Sequence, residues 1–362
     1  MKKISTLFLI LLLIGSSAMA KSDKDRRVIL IMTDGLRWQE LYTGTDAELA
    51  ANNTFTRNKA SIQAFCDIED VEKRRSTLMP FTWSFIRENG LMIGNRTKGS
   101  IMQVANKWSI SYPGYSETLT GHPDDERIQG NDAGDNPNIN ILEVANESKK
   151  YKGSVRVFAR WGTQRQIVGQ ARNNLPVIAG RDMFSNSPKP TEKELMLDEM
   201  KRKLFDFQAN AQLDLWAYQY ASEQMRTLHP KFVFIQFGDT DLHGHNGRYD
   251  YYLSAVHNID DYFRLIWEQV QSDPFYRDNT TIIITCDHGR GLGAEWCDHG
   301  PNIKRANETW LMAIGKDIPA LGEMENNGPF YNKQVAASLA SYLGIDYQPE
   351  GWEIGEKLFF VK

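Results

Sequence analysis

Four separated segments carry carboxylates and imidazoles beside glycine: Thr33-Asp34-Gly35, Gly238-Asp239-Thr240-Asp241-Leu242-His243-Gly244-His245, Thr285-Cys286-Asp287-His288-Gly289 and Cys297-Asp298-His299-Gly300. Carboxylate oxygen with imidazole nitrogen is the donor set expected for Zn²⁺ or a similar divalent ion. Taken singly, an Asp after a strand is more often a turn or a helix cap, and an Asp-His pair more often a surface feature. Four such segments in order, most of them close behind an apolar run, favour metal binding for the set more strongly than for any one member.

The apolar runs are what must position these residues. Val28-Ile29-Leu30-Ile31-Met32 shows no polar alternation, as expected of a strand buried on both faces. Similar runs are Val155 to Phe158, Phe232 to Ile235, Ile282 to Ile284 and Trp310 to Ile314. Amphipathic stretches lie between them, at Glu192 to Arg226, Asp250 to Val270 and Asn332 to Tyr342. Strand, helix, strand in this order predicts an α/β fold with a mostly parallel central sheet and helices on both faces. In such a sheet the carboxyl ends of the strands face one crevice, so distant segments deliver side chains to one point. Residues 160–190 are less regular and are read as a candidate flap over the site.

Asp34-Gly35, Asp241-Leu242-His243-Gly244-His245, Asp287-His288-Gly289 and His299-Gly300 resemble the ordered metal-binding segments of the alkaline phosphatase superfamily. The nucleotide pyrophosphatase/phosphodiesterase branch is the most similar in pattern. There a Thr or Ser nucleophile lies between the first two metal segments, and Ser111-Tyr112-Pro113-Gly114-Tyr115 followed by Thr120-Gly121 is similar in spacing. The resemblance runs from Val28 to about Pro301. It implies an alkaline phosphatase-like fold and two divalent ions, with Zn²⁺ ranked ahead of Mn²⁺, Mg²⁺ and Ca²⁺. Asp34, Asp287, His288 and Ser111 would hold one ion, and Asp241, His245 and His299 the other. Asp239 and His243 repeat the Asp-x-x-x-His spacing and stand as an alternative pair, although the family's Asp-x-x-Gly-His form selects the later one.

The implied activity is hydrolysis of a phosphate ester through a phosphoseryl intermediate at Ser111. Two ions roughly 3.5–4 Å apart would clamp the attacking and leaving oxygens. A phosphodiesterase or nucleotide pyrophosphatase is the alternative, ahead of a sulfatase-like hydrolase or a catalytically silent binding protein. Three departures qualify the match. Gly114 stands where the diesterase branch has an Asn that holds a phosphate oxygen, which leaves Lys107, Arg37 and Arg160 as candidate substrate-binding cations. Tyr115 stands at the Arg position of the sulfatase maturation motif. Cys286 and Cys297 adjoin metal segments and read as buried thiols rather than ligands. Trp38, Tyr42 and Trp161 are candidate walls of the substrate pocket.

Residues 1–20 read as a secretory signal peptide: Lys2 and Lys3, a short apolar run from Leu7 to Ile14, then Ala18-Met19-Ala20. The run is shorter than the ~20 apolar residues a membrane span needs. Export to the periplasm or the extracellular space is expected, with residues 21–362 forming one hydrolase domain and no membrane span in that mature chain. The net charge of −4, with both signs interspersed, does not suggest a nucleic-acid partner held by bulk electrostatics. The expected substrate is a small-molecule, glycan or lipid phosphate ester. Three cysteines in an oxidising compartment allow one disulfide plus a free thiol, or none.

Overall fold

The computed structural model describes residues 26–184, 189–204 and 210–361. The signal peptide read over residues 1–20 lies outside them. Eleven strands occur among the described residues: β1 Arg27–Thr33, β2 Gly90–Ile93, β3 Met102–Gln103, β4 Val155–Ala159, β5 Val177–Ala179, β6 Phe232–Phe237, β7 Thr280–Cys286, β8 Glu308–Thr309, β9 Leu311–Gly315, β10 Gly322–Glu323 and β11 Phe330–Tyr331. Eight form one sheet in the order β10-β2-β9-β7-β1-β6-β4-β5, and β11-β3-β8 form a small second sheet. In the large sheet β9 is antiparallel to both neighbours and the other pairings are parallel. The fold is therefore α/β and mostly parallel, as the order of apolar and amphipathic segments predicts.

Strand alternation divides the core into two layers. Val28, Leu30 and Met32 of β1 pack into one apolar cluster with the helices Ser111–Thr120, Ile141–Glu147 and Gln334–Leu343. Ile29 and Ile31 point into the other, built largely from Asp214–Leu228 and Tyr249–Ser272. The last of these helices buries Tyr252, Leu253, Val256, Ile259, Phe263, Ile266 and Val270, a stripe at three- and four-residue spacing. The amphipathic stretch Glu192 to Arg226 resolves into two helices. Glu192–Lys203 is opened by a Thr191/Glu194 capping box, and Asp214–Leu228 follows after the chain passes along the end of β4, where Gln212 N–H donates to the Arg160 carbonyl.

The candidate flap over residues 160–190 takes a different form. Val157 to Ala159 of β4 pair in parallel with Val177 to Ala179, so this segment supplies the edge strand β5 together with short helical turns at Gln164–Ile167 and Gln170–Asn173. Extended pairing satisfies backbone groups that a free flap would leave to water. Among the described residues of this segment, Arg160 and Trp161, at its start, line the crevice that holds Asp34 and Ser111.

The helix Ser111–Thr120 is buried along its whole length and lies against the exit of β7. Contact is close enough that a Cβ on Gly114 would collide with the Asp287 carbonyl. Gly114→Ala is expected to lower unfolding stability by about 1–3 kcal/mol through overpacking, visible as a reduced Tm. Gly130→Ala, where an added Cβ meets ordinary van der Waals space, should stay within about 0.5 kcal/mol of the parent.

Candidate active site

β1 lies between β6 and β7, with Thr33 level with Phe237 on one side and Cys286 on the other. The following residues, Asp34, Gly238 and Asp287, therefore leave the sheet at one height. Asp34 N–H donates to the Phe237 carbonyl at 2.9 Å. Asp287 Oδ1 accepts from Gly35 N–H at 3.0 Å and His288 N–H at 2.9 Å. His288 Nε2 lies 3.3 Å from Asp34 Oδ1 and 3.4 Å from Asp287 Oδ2. Ser111, first residue of its helix, puts Oγ 3.3 Å from Asp34 Oδ1 and 3.2 Å from His288 Nε2.

The second group comes from the helix Asp239–His245 after β6 and from the loop after the 3₁₀ turn Gly293–Cys297. Asp241 Oδ1 is 3.3 Å from His245 Nε2 and 3.7 Å from His299 Nε2, and the two imidazole nitrogens are 3.0 Å apart. The rings of His288 and His299 stack with centroids 3.8 Å apart, which joins the two groups. The alternative pair goes elsewhere. Asp239 accepts from Arg160 Nε at 2.8 Å and from Asp214 N–H at 3.2 Å, while His243 packs on Tyr251 in a neighbouring cavity.

Two triads have ligand atoms within 4.8 Å of one another: Asp34, Asp287, His288 and Asp241, His288, His299. Several features fit them to divalent cations. Asp287 Oδ2 is buried and has no hydrogen-bond partner, an expensive condition unless a cation meets it. Burial, then the neighbouring Asp34 and Asp241 carboxylates, push the Asp287 carboxyl far above its usual range, as expected of acids collected without their counter-charge. Burial, reinforced by His288, pushes His299 far below the usual imidazole range, so it presents a neutral ring. His288 Nδ1 lies 2.9 Å from the Gly289 carbonyl and His299 Nδ1 lies 3.0 Å from the Ser109 carbonyl. Donation of Nδ1–H to these carbonyls leaves each Nε2 as a bare lone pair turned into the site, the arrangement that orients histidine ligands.

Comparison with known proteins bears on the fold and on metal binding. Residues 182–300 match the model of the Metalloenzyme superfamily. A curated relative, the 2,3-bisphosphoglycerate-independent phosphoglycerate mutase of Gracilaria tenuistipitata var. liui, is 24% identical over 157 residues, 42% of this chain, and the match spans 29% of the relative's length. Among solved structures, wild-type alkaline phosphatase PafA superposes with a TM-score of 0.60 at 9% identity, covering 93% of this chain and 99% of that one. The phosphonate monoester hydrolase of Agrobacterium radiobacter gives a TM-score of 0.58 at 12% identity, covering 93% and 77%. The fold is that of the alkaline phosphatase superfamily. The mostly parallel sheet that the resemblance implies is the one observed.

The three candidate substrate-binding cations separate. Arg160 lines the pocket of about 530 Å³ that contains Asp34, Ser111, Asp241 and His245. Arg37 does not reach it. Its guanidinium is wholly buried, with Nε donating to Glu40 Oε2 at 2.9 Å and Nη1 to the Gly291 carbonyl at 3.1 Å, because a charge removed from water needs an ion-pair partner. Lys107 is exposed, lies over Trp108 and borders a separate cleft. Trp161 lines the pocket, whereas Trp38 and Tyr42 are core residues whose polar atoms donate to Glu308 Oε2 and the Ile93 carbonyl. All three cysteines are free thiols.

Three residues that are not among the candidate site residues are built into the site. Arg290 is fully buried, ion-paired to Asp241, and donates through Nε to the Trp296 carbonyl at 2.8 Å. Burial opposes ionisation of Asp241, but Arg290, His245 and His299 more than offset it and hold its carboxyl well below the usual range. Gly35 and Gly244 leave the room that Arg290 fills. Tyr115 donates its hydroxyl to Asp34 Oδ2 at 3.2 Å and accepts from Gln236 Nε2 at 3.1 Å. Asn131 at the pocket rim accepts from Tyr112 N–H at 3.0 Å through Oδ1, leaving its amide nitrogen as a donor. The position of Arg290 directly after the Asp287-His288-Gly289 segment and that of Tyr115 within the Ser111 motif are signals in the sequence, whereas Asn131 offers none.

Tyr115→Phe removes the hydroxyl that orients Asp34. It is expected to weaken divalent-metal affinity by about 10–100-fold, measured by competition with a chromophoric chelator. Removal of metal should also invert the pH response of stability. In metal-free protein the raised Asp287 carboxyl contributes stability below the ordinary carboxylate range and loses it as pH rises through the folded value. With metal bound, the ligand must be ionised, so the metal-induced rise in Tm should grow with pH. A metal-induced shift that shrinks with pH would exclude this assignment.

Proposed function

We propose that this chain is a metal-dependent hydrolase of phosphate esters with Ser111 as nucleophile. The observation that carries the reading is the position of Ser111 Oγ, at the N-terminus of a buried helix and within 3.3 Å of both Asp34 Oδ1 and His288 Nε2. The solved neighbours named as an alkaline phosphatase and a phosphonate monoester hydrolase support the reaction class. Divalent cations held by Asp34, Asp287 and His288 on one side, and by Asp241, His245 and His299 on the other, would supply Lewis-acid stabilisation of the attacking and leaving oxygens. The mixed carboxylate and imidazole donors suit Zn²⁺.

The remaining steps belong to the chain's own groups. Ser111 Oγ gives up its proton toward the Asp34 carboxylate and attacks phosphorus in line. The Oγ–P bond forms as the bond from phosphorus to the leaving oxygen breaks, and the leaving group takes a proton from solvent. The N-terminal peptide dipoles of the helix Ser111–Thr120 favour the negative charge that gathers there. Arg160 and the Asn131 amide, both lining the pocket, hold the non-reacting phosphoryl oxygens. Water then attacks phosphorus as the Oγ–P bond breaks; Ser111 Oγ takes back the proton held by Asp34, and the protons of the attacking water pass to the released phosphate and to solvent. Export through the segment at residues 1–20 is part of the same proposal.

Purified protein with added Zn²⁺ is expected to hydrolyse aryl phosphates, and Ser111→Ala to lower kcat/KM by roughly 10³-fold or more. The ratio of aryl phosphate to diaryl phosphodiester turnover reads the diesterase alternative in the same assay. Equal turnover by the parent and Ser111→Ala would remove Ser111 as nucleophile. Metal binding with no ester turnover would favour a silent binding protein instead.

A further inference from the structure

The catalytic pocket opens into a larger cavity of about 860 Å³, and Arg160, Leu242 and Asn246 line both. The charge of the larger cavity is unlike that of the chain. Among the described residues, Arg57, Arg160, Arg181, Lys201, Arg202 and Arg248 border it and no acidic side chain does, although the protein carries a net charge of −4. Two of these cations are matched by acids set behind them: Arg160 by Asp239, and Arg248 by Asp250 at 2.8 Å. Arg57 and Arg202 are exposed and make no ion pair among the described residues. A cavity with walls of one sign concentrates ligands of the opposite sign.

The other walls are apolar. Trp216 lines it as a buried side chain, while Leu204, Leu213 and Tyr251 stay 50%, 43% and 44% exposed. Apolar and aromatic side chains with a few convergent charged groups form the lining expected for the organic part of a ligand. Guanidinium forks favour oxyanions with which they can pair through two parallel hydrogen bonds. The volume exceeds what a phosphoryl group needs and suits an attached aryl- or sugar-sized body.

We propose that this cavity receives the leaving group of the ester, and that the leaving group carries a second oxyanion: carboxylate, sulfonate or phosphate. The proposal rests on the phosphate-ester reading given above and adds the class of substrate. Arg57 and Arg202 at the mouth bind the second oxyanion, and the apolar wall packs the body that joins it to the scissile phosphate. Arg160 stands where the two pockets meet.

The test compares esters that differ only in charge: 4-carboxyphenyl phosphate against 4-carbamoylphenyl phosphate, and 4-sulfophenyl phosphate against 4-sulfamoylphenyl phosphate, on metal-loaded full-length protein. The charged member of each pair is expected to be preferred in kcat/KM by roughly tenfold at low salt. The preference should collapse toward unity in Arg57→Gln/Arg202→Gln and persist in Lys149→Gln/Lys152→Gln, which removes the same charge near the amino end of β4. A phosphate-bearing arm, 1,4-phenylene bisphosphate against 4-hydroxyphenyl phosphate, tells which oxyanion is favoured. No preference in the parent, or one that the double arginine variant leaves intact, overturns the proposal. Calorimetric binding of the same pairs to Ser111→Ala separates the two readings. Tighter binding of the charged member with no turnover by the parent would sink the hydrolase reading and keep the anion-binding cavity. Turnover without charge preference would do the reverse.

Discussion

Parallel pairing of β1 with β6 on one side and β7 on the other holds three strand ends at one height. Asp34 and Asp287 leave the sheet side by side there, and the helix that carries Asp241 starts at the third strand end. A slip of one residue in either pairing would send each side chain to the opposite face. Apolar burial on both faces prevents that slip, since Val28, Leu30 and Met32 belong to one core and Ile29 and Ile31 to the other. The interactions that stabilise the sheet are thus the ones that place the carboxylates.

Gathering acids in a buried crevice is electrostatically unfavourable. The fold offsets part of this with its own donors: Arg290 on Asp241, two backbone N–H groups on Asp287 Oδ1, and the Tyr115 hydroxyl on Asp34. Asp287 Oδ2 is left without a donor, and that vacancy in the hydrogen-bond network is where added positive charge belongs. Around this centre a second layer fixes the loops. Asp214 accepts from the N–H groups of Gly238 and Asp239 and lies near Arg160. Glu117, wholly buried, accepts from the N–H groups of Ala105, Asn106 and Lys333 and so anchors the approach to Ser111. These carboxylates act on backbone and tie the loops to the elements they join.

Local pattern revealed the elements whose period is regular. The five apolar runs are the strands β1, β4, β6, β7 and β9, and Asp250 to Val270 falls within one long helix. Short strands such as β2 and the edge strands β5 and β10 were not legible, because a few residues carry no period and acquire strand geometry only from the neighbours they pair with. The same limit explains the cations. Arg37, Lys107 and Arg160 are equivalent as residue types, yet one is buried against Glu40, one lies over Trp108 at the surface, and one lines the pocket.

By itself the sequence determined the α/β order, the four segments that carry oxygen and nitrogen donors, and Ser111 within a motif of the right character. These are properties of residue type and spacing along the chain, so they survive without coordinates. The tertiary structure alone set Asp241/His245 apart from Asp239/His243, brought Arg290 and Tyr115 beside the carboxylates, and formed an edge strand within residues 160–190. Each of these depends on which side chains meet across long separations in the chain, and on where burial leaves a charge that must be paired. Spacing along the sequence does not encode that distance, whereas packing does.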